Sequence, residues 1–530
     1  MPLSFAATEP WAFFIFQLTV SFIFIYLLFK KHKFVFSLPA VTIIFSFIFL
    51  IAIALLQMLN PHTITLSKSY FLFTISPFHT LNELNSVFTY MMLFVITAQL
   101  FDRFEKIKKL LYTLAVVSSI VMLIGLCFPN GEYVKFFLGS SSLGNFGPFT
   151  NRNNAGIFLS MSFFIFVSVT LYNFFKYKKF LIQNKKKEFI IVQTINTLLS
   201  LTMLVSVVLT RSRGAMSATF LSIFFFLFMY VYFFSNCLKE RIVKLLFIFC
   251  FLIISCFAVY ENIDAINAYS KRTSGFSEQT RLELYDMAFD ILKDYPLTGI
   301  GLAAFPVTVD KYFKKELNAY PQYLHSDWLE LVTGIGYPLS AVIFILFVML
   351  MIVFFKRIKF LSAGKKVLFM GGLSAIISIS IGSIVDFHFH IPANAAVFIV
   401  CLAVLCSLPF YKDKRNMNMK INVFFKILMI FVALYLIVFC AENVVFWRYY
   451  VFAKNMPKQQ QLQYYKKAAF SSENPKYMEN YIKDKYNYCV KNKIFVDDNK
   501  SEIAKLSYEY LKKYPFSRKI SKIYLASIKQ

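Results

Sequence analysis

Charged residues are scarce in this chain of 530 residues: they make up 16% of it, whereas hydrophobic residues make up 58% and aromatic residues 19%. That balance lies far outside the range of soluble domains and excludes an ordinary globular protein. Apolar runs of about 20 residues, the length of a helix that crosses a bilayer, recur along most of the sequence. Because lipid offers no hydrogen bonds to the backbone, these runs must be helical. The sequence therefore predicts an all-α, polytopic bundle of transmembrane helices.

Cysteine patterns that would hold a metal ion or a disulfide framework are also missing. The eight cysteines form no C-x-x-C pair and lie mostly within apolar runs, which argues against both kinds of site. No D-x-D motif occurs in a predicted outer loop. In IVDFHFHIPANAA (384–396), Asp386, His388 and His390 alternate like metal ligands, but a tight turn at the end of a span is the preferred interpretation. We therefore predict no metal site and no cofactor.

Acidic residues are few, with 28 Asp and Glu against 56 Lys and Arg, so the net charge is +28. In a soluble protein this excess would suggest a nucleic-acid partner. Here the basic residues gather in alternate loops, as they do on the cytoplasmic side of membrane proteins, so we predict no nucleic-acid partner. The first apolar run is too long for the core of a cleavable signal peptide and has no basic segment before it.

Twelve spans are predicted, and they alternate with the basic loops. They cover residues 11–29, 35–57, 82–101, 109–128, 154–175, 189–210, 215–235, 244–260, 337–355, 367–385, 394–411 and 422–443. The positive-inside rule then places both chain ends, and the long loop of residues 261–336, outside the cytoplasm. Long loops usually have a function, and the amphipathic pattern of TRLELYDMAFDILKDYP predicts that this one is folded.

After residue 443 the composition shifts to Lys, Tyr, Asn and Glu, and prolines at 475 and 515 separate helix-length segments. We predict two helix pairs, at 458–471 with 476–491 and at 500–513 with 516–529, which are similar to tetratricopeptide repeats. The predicted domains are thus a membrane domain, 1–443, and a periplasmic helical tail, 444–530. The tail is either a small appendage or a docking site for a protein partner.

Arg211 and Arg213 occupy a polar step, T-R-S-R-G, between two apolar runs. The step lies on the predicted outer face, where positive charge is disfavoured. A single arginine there would be explained by snorkelling to lipid headgroups. Two arginines beside a glycine, which permits close approach of another chain segment, favour bidentate capture of a phosphate group.

His325 lies near the end of the long loop, in Y-L-H-S-D-W-L-E-L, where a helix is predicted to begin. It is either a surface or capping residue, or a base that takes a proton from an acceptor hydroxyl. Upstream lies Arg281, in T-R-L-E-L-Y-D, which alone would be a solvated helix charge. Gly299 and Gly301 predict a tight chain reversal, because the third glycine of a nucleotide-binding motif is missing.

Five further polar residues are candidates for substrate binding. The amides of Asn151, Asn153 and Asn154, at a loop-to-helix junction, could bind sugar hydroxyls or cap the helix. Ser326 and Glu330 follow His325. On a helix that starts near residue 325, Glu330 lies about one turn further on, nearer the face of His325, whereas Asp327 projects away from it.

Four segments in this order resemble the O-antigen ligase superfamily: GPFTNRNNAG (147–156), TRSRGA (210–215), TRLELYDMAFDILKDYPLTGIGLAAF (280–305) and HSDWLELVTGIG (325–336). The superfamily includes lipopolysaccharide O-antigen ligases, Wzy-type polysaccharide polymerases and protein O-oligosaccharyltransferases. The resemblance covers about residues 60–410. It implies a C-type glycosyltransferase that moves a glycan from undecaprenyl diphosphate, outside the inner membrane, to lipid A-core, a growing glycan or a protein hydroxyl.

The resemblance also implies roles by position. The family's S-R-G arginine falls on Arg213, with Arg211 beside it, and its loop arginine falls on Arg281. The histidine of its H-[NSQ]-x9-G pattern falls on His325, with Ser326 and Gly336 matching. The arginines would stabilise charge on the departing phosphate without a metal ion, and His325 would be the one base that an inverting transfer needs.

Two features depart from the ligase pattern. Leu339 stands where ligases prefer Gly, Thr or Tyr. Ligases of this family also usually keep both termini in the cytoplasm, whereas the charge pattern here places both termini outside. A ligase remains the leading interpretation, with a polymerase or a protein O-oligosaccharyltransferase as alternatives. A transporter or flippase is the competing class, because twelve spans are common there. It is less favoured because few ionisable residues fall inside the spans and the two halves show no matching pair of broken helices.

Overall fold

A computed structural model of the chain describes residues 9–31, 33–62, 71–129, 132–138, 145–177, 186–261, 278–313, 321–407, 417–420, 422–454, 456–495, 497–515 and 517–528. Of the described residues, 82% are helical, and they form one pair of short strands. Nine of the described helices are long and apolar enough to cross a membrane. The predicted class, a polytopic helical membrane protein, is confirmed.

Each of the twelve predicted spans overlaps one helix, and residues 408–411 of the eleventh span lie outside the described residues. These helices are α1 (Pro10–Lys30), α2 (Leu38–Met58), α3 (Pro77–Leu100), α4 (Phe104–Cys127), α6 (Arg152–Tyr177), α7 (Lys186–Leu209), α8 (Arg213–Phe234), α9 (Leu238–Glu261), α12 (Asp327–Ile358), α13 (Ala363–Gly382), α14 (Pro392–Leu405) and α15 (Val423–Lys454). A short helix, α5 (Glu132–Leu138), precedes α6. α6 packs against α13, α7 and α8, and α1 packs against α15. The number of helices that actually cross the membrane stays a prediction.

A two-stranded sheet joins two of the basic loops. Strand β1 (Lys33–Phe36) follows α1, and strand β2 (Met417–Lys420) precedes α15. The strands pair antiparallel, with Lys33 opposite Lys420. The loops before α2 and α15 therefore meet at one end of the bundle, as their predicted common side requires.

The long loop has a hydrophobic core of its own. It contains α10 (Glu278–Asp294), a 3-10 turn (Phe305–Thr308) and α11 (Val309–Tyr312). Apolar residues of α10, including Leu284 and Ile291, are buried together with Phe305 and Phe313. The amphipathic pattern of α10 predicted this, because its apolar face needs a partner.

The same four residues, T-G-I-G, occur at 298–301 in the long loop and at 333–336 in α12, and the two segments are in backbone contact. Ile300 N donates to Thr333 O at 2.9 Å, and Gly301 N donates to Gly334 O at 3.0 Å. A Cβ on Gly336 (φ 77°) would lie 2.4 Å from the carbonyl oxygen of Leu297. Only residues without a side chain allow this approach, so the glycines fix the loop against a kink in α12.

The tail consists of α16 (Lys458–Ser471), α17 (Pro475–Lys491), α18 (Asp497–Lys513) and α19 (Arg518–Ile528), here called the tail helices. They lie within a few residues of the four predicted helical segments. The tail helices pack on one another and on the end of α15, where Tyr450 stacks with Tyr465. Arg518 Nη2 donates to Phe313 O at 2.7 Å. The tail helices and the long loop are therefore at the same end of the molecule; that this end is periplasmic stays a prediction.

Candidate active site

Three helices begin close together, and each has a side-chain cap. The caps are Asn151 for α6, Ser212 for α8 and Ser326 for α12, whose side-chain oxygens accept a backbone N–H of the first turn at 2.8, 3.2 and 3.3 Å. Asn151 thus caps α6, which is one of the two roles expected for it, and Ser326 also caps a helix. The N-terminus of a helix carries partial positive charge, so this region favours anions.

Four arginines of the described residues line one space, here called the arginine pocket. They are Arg152 at the start of α6, Arg211 and Arg213 at the start of α8, and Arg281 on α10; Asn153, Asp386 and His388 also line the space. Its volume is about 60 Å³. Since one water needs about 10–15 Å³ of such space, a group the size of a phosphate fits. The structure thus brings together all three predicted arginines and adds Arg152.

Two arginines of the pocket have buried nitrogen atoms that donate to no described residue, Arg152 Nη1 and Arg281 Nε. A buried donor without an acceptor is unfavourable. An anion in the arginine pocket would accept from such donors through charge-assisted bonds. α6 and α8 can approach closely here because a Cβ on Gly156 would lie 2.5 Å from that of Ala215.

Asp386 connects the arginine pocket to His325. His325 Nδ1 lies 2.9 Å from Asp386 Oδ1, Arg281 Nη2 lies 3.4 Å from Oδ2, and Asn153 also donates to Oδ2. Burial would raise the pKa of Asp386, but the hydrogen bond from His325 and the nearby His388 and Arg281 hold it well below its usual range. Because an ionised carboxylate only accepts, Nδ1 donates, and Nε2 is the nitrogen that can take up a proton.

The backbone at two of these residues is strained. Arg211 and His325 both have a φ of 58°, which is unfavourable for residues with a side chain. Such strain persists only where the surrounding structure fixes it, and it is frequent at functional sites. Tyr285 on α10 contributes to this, because its hydroxyl donates to the carbonyl oxygen of His325 at 2.9 Å.

A second histidine–carboxylate network involves Asp327 and Glu330. His390 Nδ1 lies 2.7 Å from Asp327 Oδ1, and its Nε2 lies 3.4 Å from Glu330 Oε1. Glu330 also accepts from Leu324 N at 3.0 Å. Burial would lower the pKa of His390, but Glu330 and the hydrogen bond to Asp327 outweigh it and raise the pKa to about 10. His390 is therefore an imidazolium at neutral pH.

The other two predicted amides also contact residues of the loop between α13 and α14. Asn153 binds Asp386, as described above, and Asn154 Oδ1 lies 2.7 Å from His388 Nδ1. Asn154 is fully buried, and its side-chain nitrogen makes no hydrogen bond with a described residue. Burial lowers the pKa of His388. This loop, 386–391, is thus held between α6 and the start of α12.

A larger space, here called the aromatic cavity, has a volume of about 540 Å³. Its lining includes Phe13 and Gln17 of α1, Asn82, Glu83 and Tyr90 of α3, Asn151 and Asn154 of α6, Gln322, Tyr323 and Glu330, Phe387 and His390, and Asn474 and Tyr477 of the tail helices. An apolar groove of about 300 Å³ lies between α2, α12 and α14 and shares Glu83, Glu330 and His390 with the cavity.

Among the described residues, no group of three or more His, Cys, Asp or Glu side chains has the geometry of a metal site. The three alternating residues of IVDFHFH bind different partners: Asp386 binds His325, His388 binds Asn154, and His390 binds Asp327.

Sequence reasoning missed Arg152 and the connecting role of Asp386. Arg152 lies in T-N-R-N-N, among the three amides predicted to bind sugar hydroxyls or cap the helix; its signal is a third arginine at the start of a helix. Asp386 lies in the alternating IVDFHFH segment, whose pattern predicts a tight turn and gives no sign of a partner in His325.

These features define a polytopic helical membrane protein with a partly buried, positively charged pocket where several helices begin. Residues 198–344 match a family model described as O-Antigen ligase, which confirms the resemblance to the O-antigen ligase superfamily. The matched segment contains Arg211, Arg213, Arg281 and His325. Members of that family are glycosyltransferase-type ligases or polymerases, which supports an enzymatic role. A search of curated proteins finds no match to the chain.

Proposed function

We propose that the protein transfers a glycan from undecaprenyl diphosphate to an acceptor, lipid A-core or a similar molecule, at the periplasmic face of the inner membrane. The observation that carries the proposal is the arginine pocket. Arg152, Arg211, Arg213 and Arg281 surround a space of phosphate size, and Asp386 connects it to His325. Guanidinium groups suit the diphosphate because they form paired, charge-assisted bonds to its oxygens.

His325 is the proposed general base. Its Nε2 takes the proton of the acceptor hydroxyl while the hydroxyl oxygen attacks the anomeric carbon of the donor sugar. The bond between that carbon and the phosphate oxygen breaks, and the electron pair leaves with undecaprenyl diphosphate. A single displacement of this kind inverts the anomeric centre. Asp386 holds the ring of His325 by Nδ1 and stabilises the imidazolium that forms.

The arginines act mainly on the leaving group. Negative charge grows on the diphosphate as the glycosidic bond breaks, and donors already aimed at that charge lower the barrier. The starts of α6 and α8 line the same pocket, so their helix dipoles add to this effect. The apolar groove is consistent with a substrate that carries a lipid chain.

A polymerase is the second candidate, because its reaction uses the same donor and differs in the acceptor. Leu339 favours it, since the ligase pattern has Gly, Thr or Tyr at this position. The acceptor hydroxyl of a protein remains a further alternative. The identity of the product distinguishes them: glycan on lipid A-core, a lengthened glycan, or a glycosylated protein.

Arg213→Ala should lower turnover by about 10²-fold or more, because it removes a donor that binds the leaving group. Arg213→Lys should restore only part of the activity, since a point charge cannot form the paired bonds. The measurement is release of undecaprenyl diphosphate from a lipid-linked glycan by purified protein in nanodiscs. Arg103→Ala, an exposed arginine before α4, is the control and should match the wild type.

Two results would contradict the proposal. One is an Arg213→Ala protein with wild-type turnover. The other is a wild type that moves the glycan across vesicle membranes without releasing undecaprenyl diphosphate, which would indicate a carrier.

A further inference from the structure

The aromatic cavity lies directly beside the arginine pocket, on the other side of the 386–391 loop. Asp386 and His388 line the pocket, whereas Phe387 and His390 line the cavity. The ring of His325 lies edge-to-face against that of Phe387, with 4.9 Å between centroids. A molecule against Phe387 in the cavity is therefore one side chain away from His325 and one loop away from the arginine pocket.

The lining of the cavity combines aromatic faces with hydrogen-bonding groups. The rings of Tyr323 and Phe387 are stacked, with centroids 4.7 Å apart and an interplanar angle of 28°. Glu83 and Asn82 face the same space from α3, and the Glu83 carboxylate makes no hydrogen bond or ion pair with a described residue. A sugar has apolar faces and many hydroxyl donors, so it matches such a lining. The volume is also typical of a ligand site.

One wall of the cavity comes from the tail helices. Asn474 and Tyr477, at the start of α17, line the cavity together with residues of α1, α3 and the long loop. Asn474 Oδ1 caps α17 by accepting from Lys476 N at 3.0 Å, so its amide nitrogen is left for other contacts. The ring of Tyr477 stacks on that of Tyr450, with centroids 5.0 Å apart, and its hydroxyl makes no hydrogen bond with a described residue.

This wall is held in place from two sides. On the side of the membrane helices, Asn480 Nδ2 of α17 donates to the hydroxyl of Tyr450, near the end of α15, at 2.9 Å. At its far end, Arg518 binds Phe313 O and lies 4.0 Å from Asp310 of the long loop. The tail helices are thus fixed to both the membrane helices and the long loop. These contacts hold Asn474 and Tyr477 in the wall of the cavity.

We propose that the aromatic cavity is the acceptor site for a saccharide, and that Asn474 and Tyr477 of the tail helices determine which saccharide is accepted. The inference rests on the proposed function, because it takes the arginine pocket as the donor site. In this arrangement the acceptor sugar lies against Tyr323 and Phe387 and presents a hydroxyl to His325. Tyr477 and Asn474 bind hydroxyls on the side of the sugar away from the membrane helices.

Two conservative substitutions test the wall. Tyr477→Phe removes only the hydroxyl, and Asn474→Ser removes the amide while keeping a residue that caps helices well. Matched controls lie on the same helix away from the cavity: Tyr486→Phe, and Asn492→Ser at the opposite end of α17. The donor is the lipid-linked repeat unit extracted from the producing cell. The acceptor is the free core oligosaccharide released by mild acid from the lipid A-core of the same cell.

The inference predicts that Tyr477→Phe and Asn474→Ser each raise the KM for the oligosaccharide about three- to tenfold, the effect of losing one hydrogen bond. The kcat at saturating acceptor and the Kd for undecaprenyl diphosphate should stay at the wild-type values. Both controls should match the wild type throughout. A purely structural effect would change donor and acceptor binding together, and that result would overturn the inference.

Direct binding of the oligosaccharide in the absence of donor separates this inference from the proposed function. If the wild type binds the oligosaccharide and Tyr477→Phe weakens it, the saccharide site stands even when no transfer occurs. If the wild type transfers glycan and both wall variants behave like the controls, the tail has no part in selecting the acceptor. A wild type that does not bind the oligosaccharide overturns the saccharide site itself.

Discussion

Asp386 contacts the proposed base and an arginine of the proposed donor site at the same time. Its two carboxylate oxygens receive His325 on one side and Arg281 with Asn153 on the other. One residue of a short loop therefore positions both the His325 ring and the Arg281 guanidinium. Removing the charge of Asp386 should consequently have different effects on proton transfer by His325 and on donor binding by the arginines.

Asp386→Asn should lower kcat by about 10²-fold or more, because His325 loses the carboxylate that fixes its proton and stabilises its charged form. The Kd for undecaprenyl diphosphate should not rise, since the four arginines remain and one nearby negative charge is gone. Steady-state transfer kinetics and a direct binding assay measure the two quantities. Asp286→Asn, an exposed carboxylate on α10, is the control; equal losses of kcat and donor affinity would refute the separation.

His390 provides a pH-dependent test of the second network. Its pKa is raised from 6.5 to about 10 in the folded protein, so the imidazolium stabilises the fold fully below about pH 6.5. This contribution falls as the pH rises towards 10, because the unfolded chain has already lost the proton. Thermal unfolding between pH 6 and 10 should therefore show a decline of several degrees in wild type that His390→Asn lacks. Parallel curves for the two proteins would show that His390 does not carry the charge.

At the scale of elements, the contact between the two T-G-I-G segments holds the long loop on α12. Gly336 has a φ of 77° and a ψ of 171°, a region used almost only by glycine. Its hydrogen atoms face the backbone of the long loop at Leu297 and Thr298. The loop carries Arg281 on α10, so this contact also sets the position of one wall of the arginine pocket.

Gly336→Ala should destabilise the protein by about 2 kcal/mol or more, through backbone strain and a clash with Leu297. Gly372→Ala in α13 is the matched control, because the nearest atom to its added Cβ is the flexible end of Leu405 at 3.1 Å and alanine favours helix. Thermal unfolding in detergent would show the difference. A Gly336→Ala protein as stable as the control would mean that the loop adapts without strain.

The sequence predicted the helices well, and their boundaries less well. Long apolar runs leave the backbone no alternative in lipid, and each of the twelve runs overlaps one helix. α3, however, begins at Pro77 rather than at 82, because a proline opens the helix and His79 and Thr80 interrupt the apolar run in its first turn. The helix predicted to begin near residue 325 and the span predicted at 337–355 form one helix, α12, because the kink at Gly336 does not interrupt the run of helical turns on either side.

At the scale of the whole molecule, the candidate site was predicted only as far as local patterns reach. Arg211, Arg213 and Arg281 were expected to converge, and they line one pocket. The partners of the histidines were not expected, because His325 is paired with Asp386, 61 residues away, and His390 with Asp327, 63 residues away. A short sequence motif cannot predict contacts between residues so far apart in the chain. The contribution of the tail to the cavity was missed for the same reason.

The position of Asn474 and Tyr477 in the wall of the aromatic cavity has a consequence for biosynthesis. A ribosome makes the chain from its first residue to its last, so α1, α3 and the 386–391 loop exist before the tail helices do. The arginine pocket is complete once residue 388 has been made, but the neighbouring chamber gains its last side only after α17 has emerged and folded back. A half-made protein that ends before α17 would thus contain every residue of the arginine pocket while still lacking two residues of the space proposed for the second reactant.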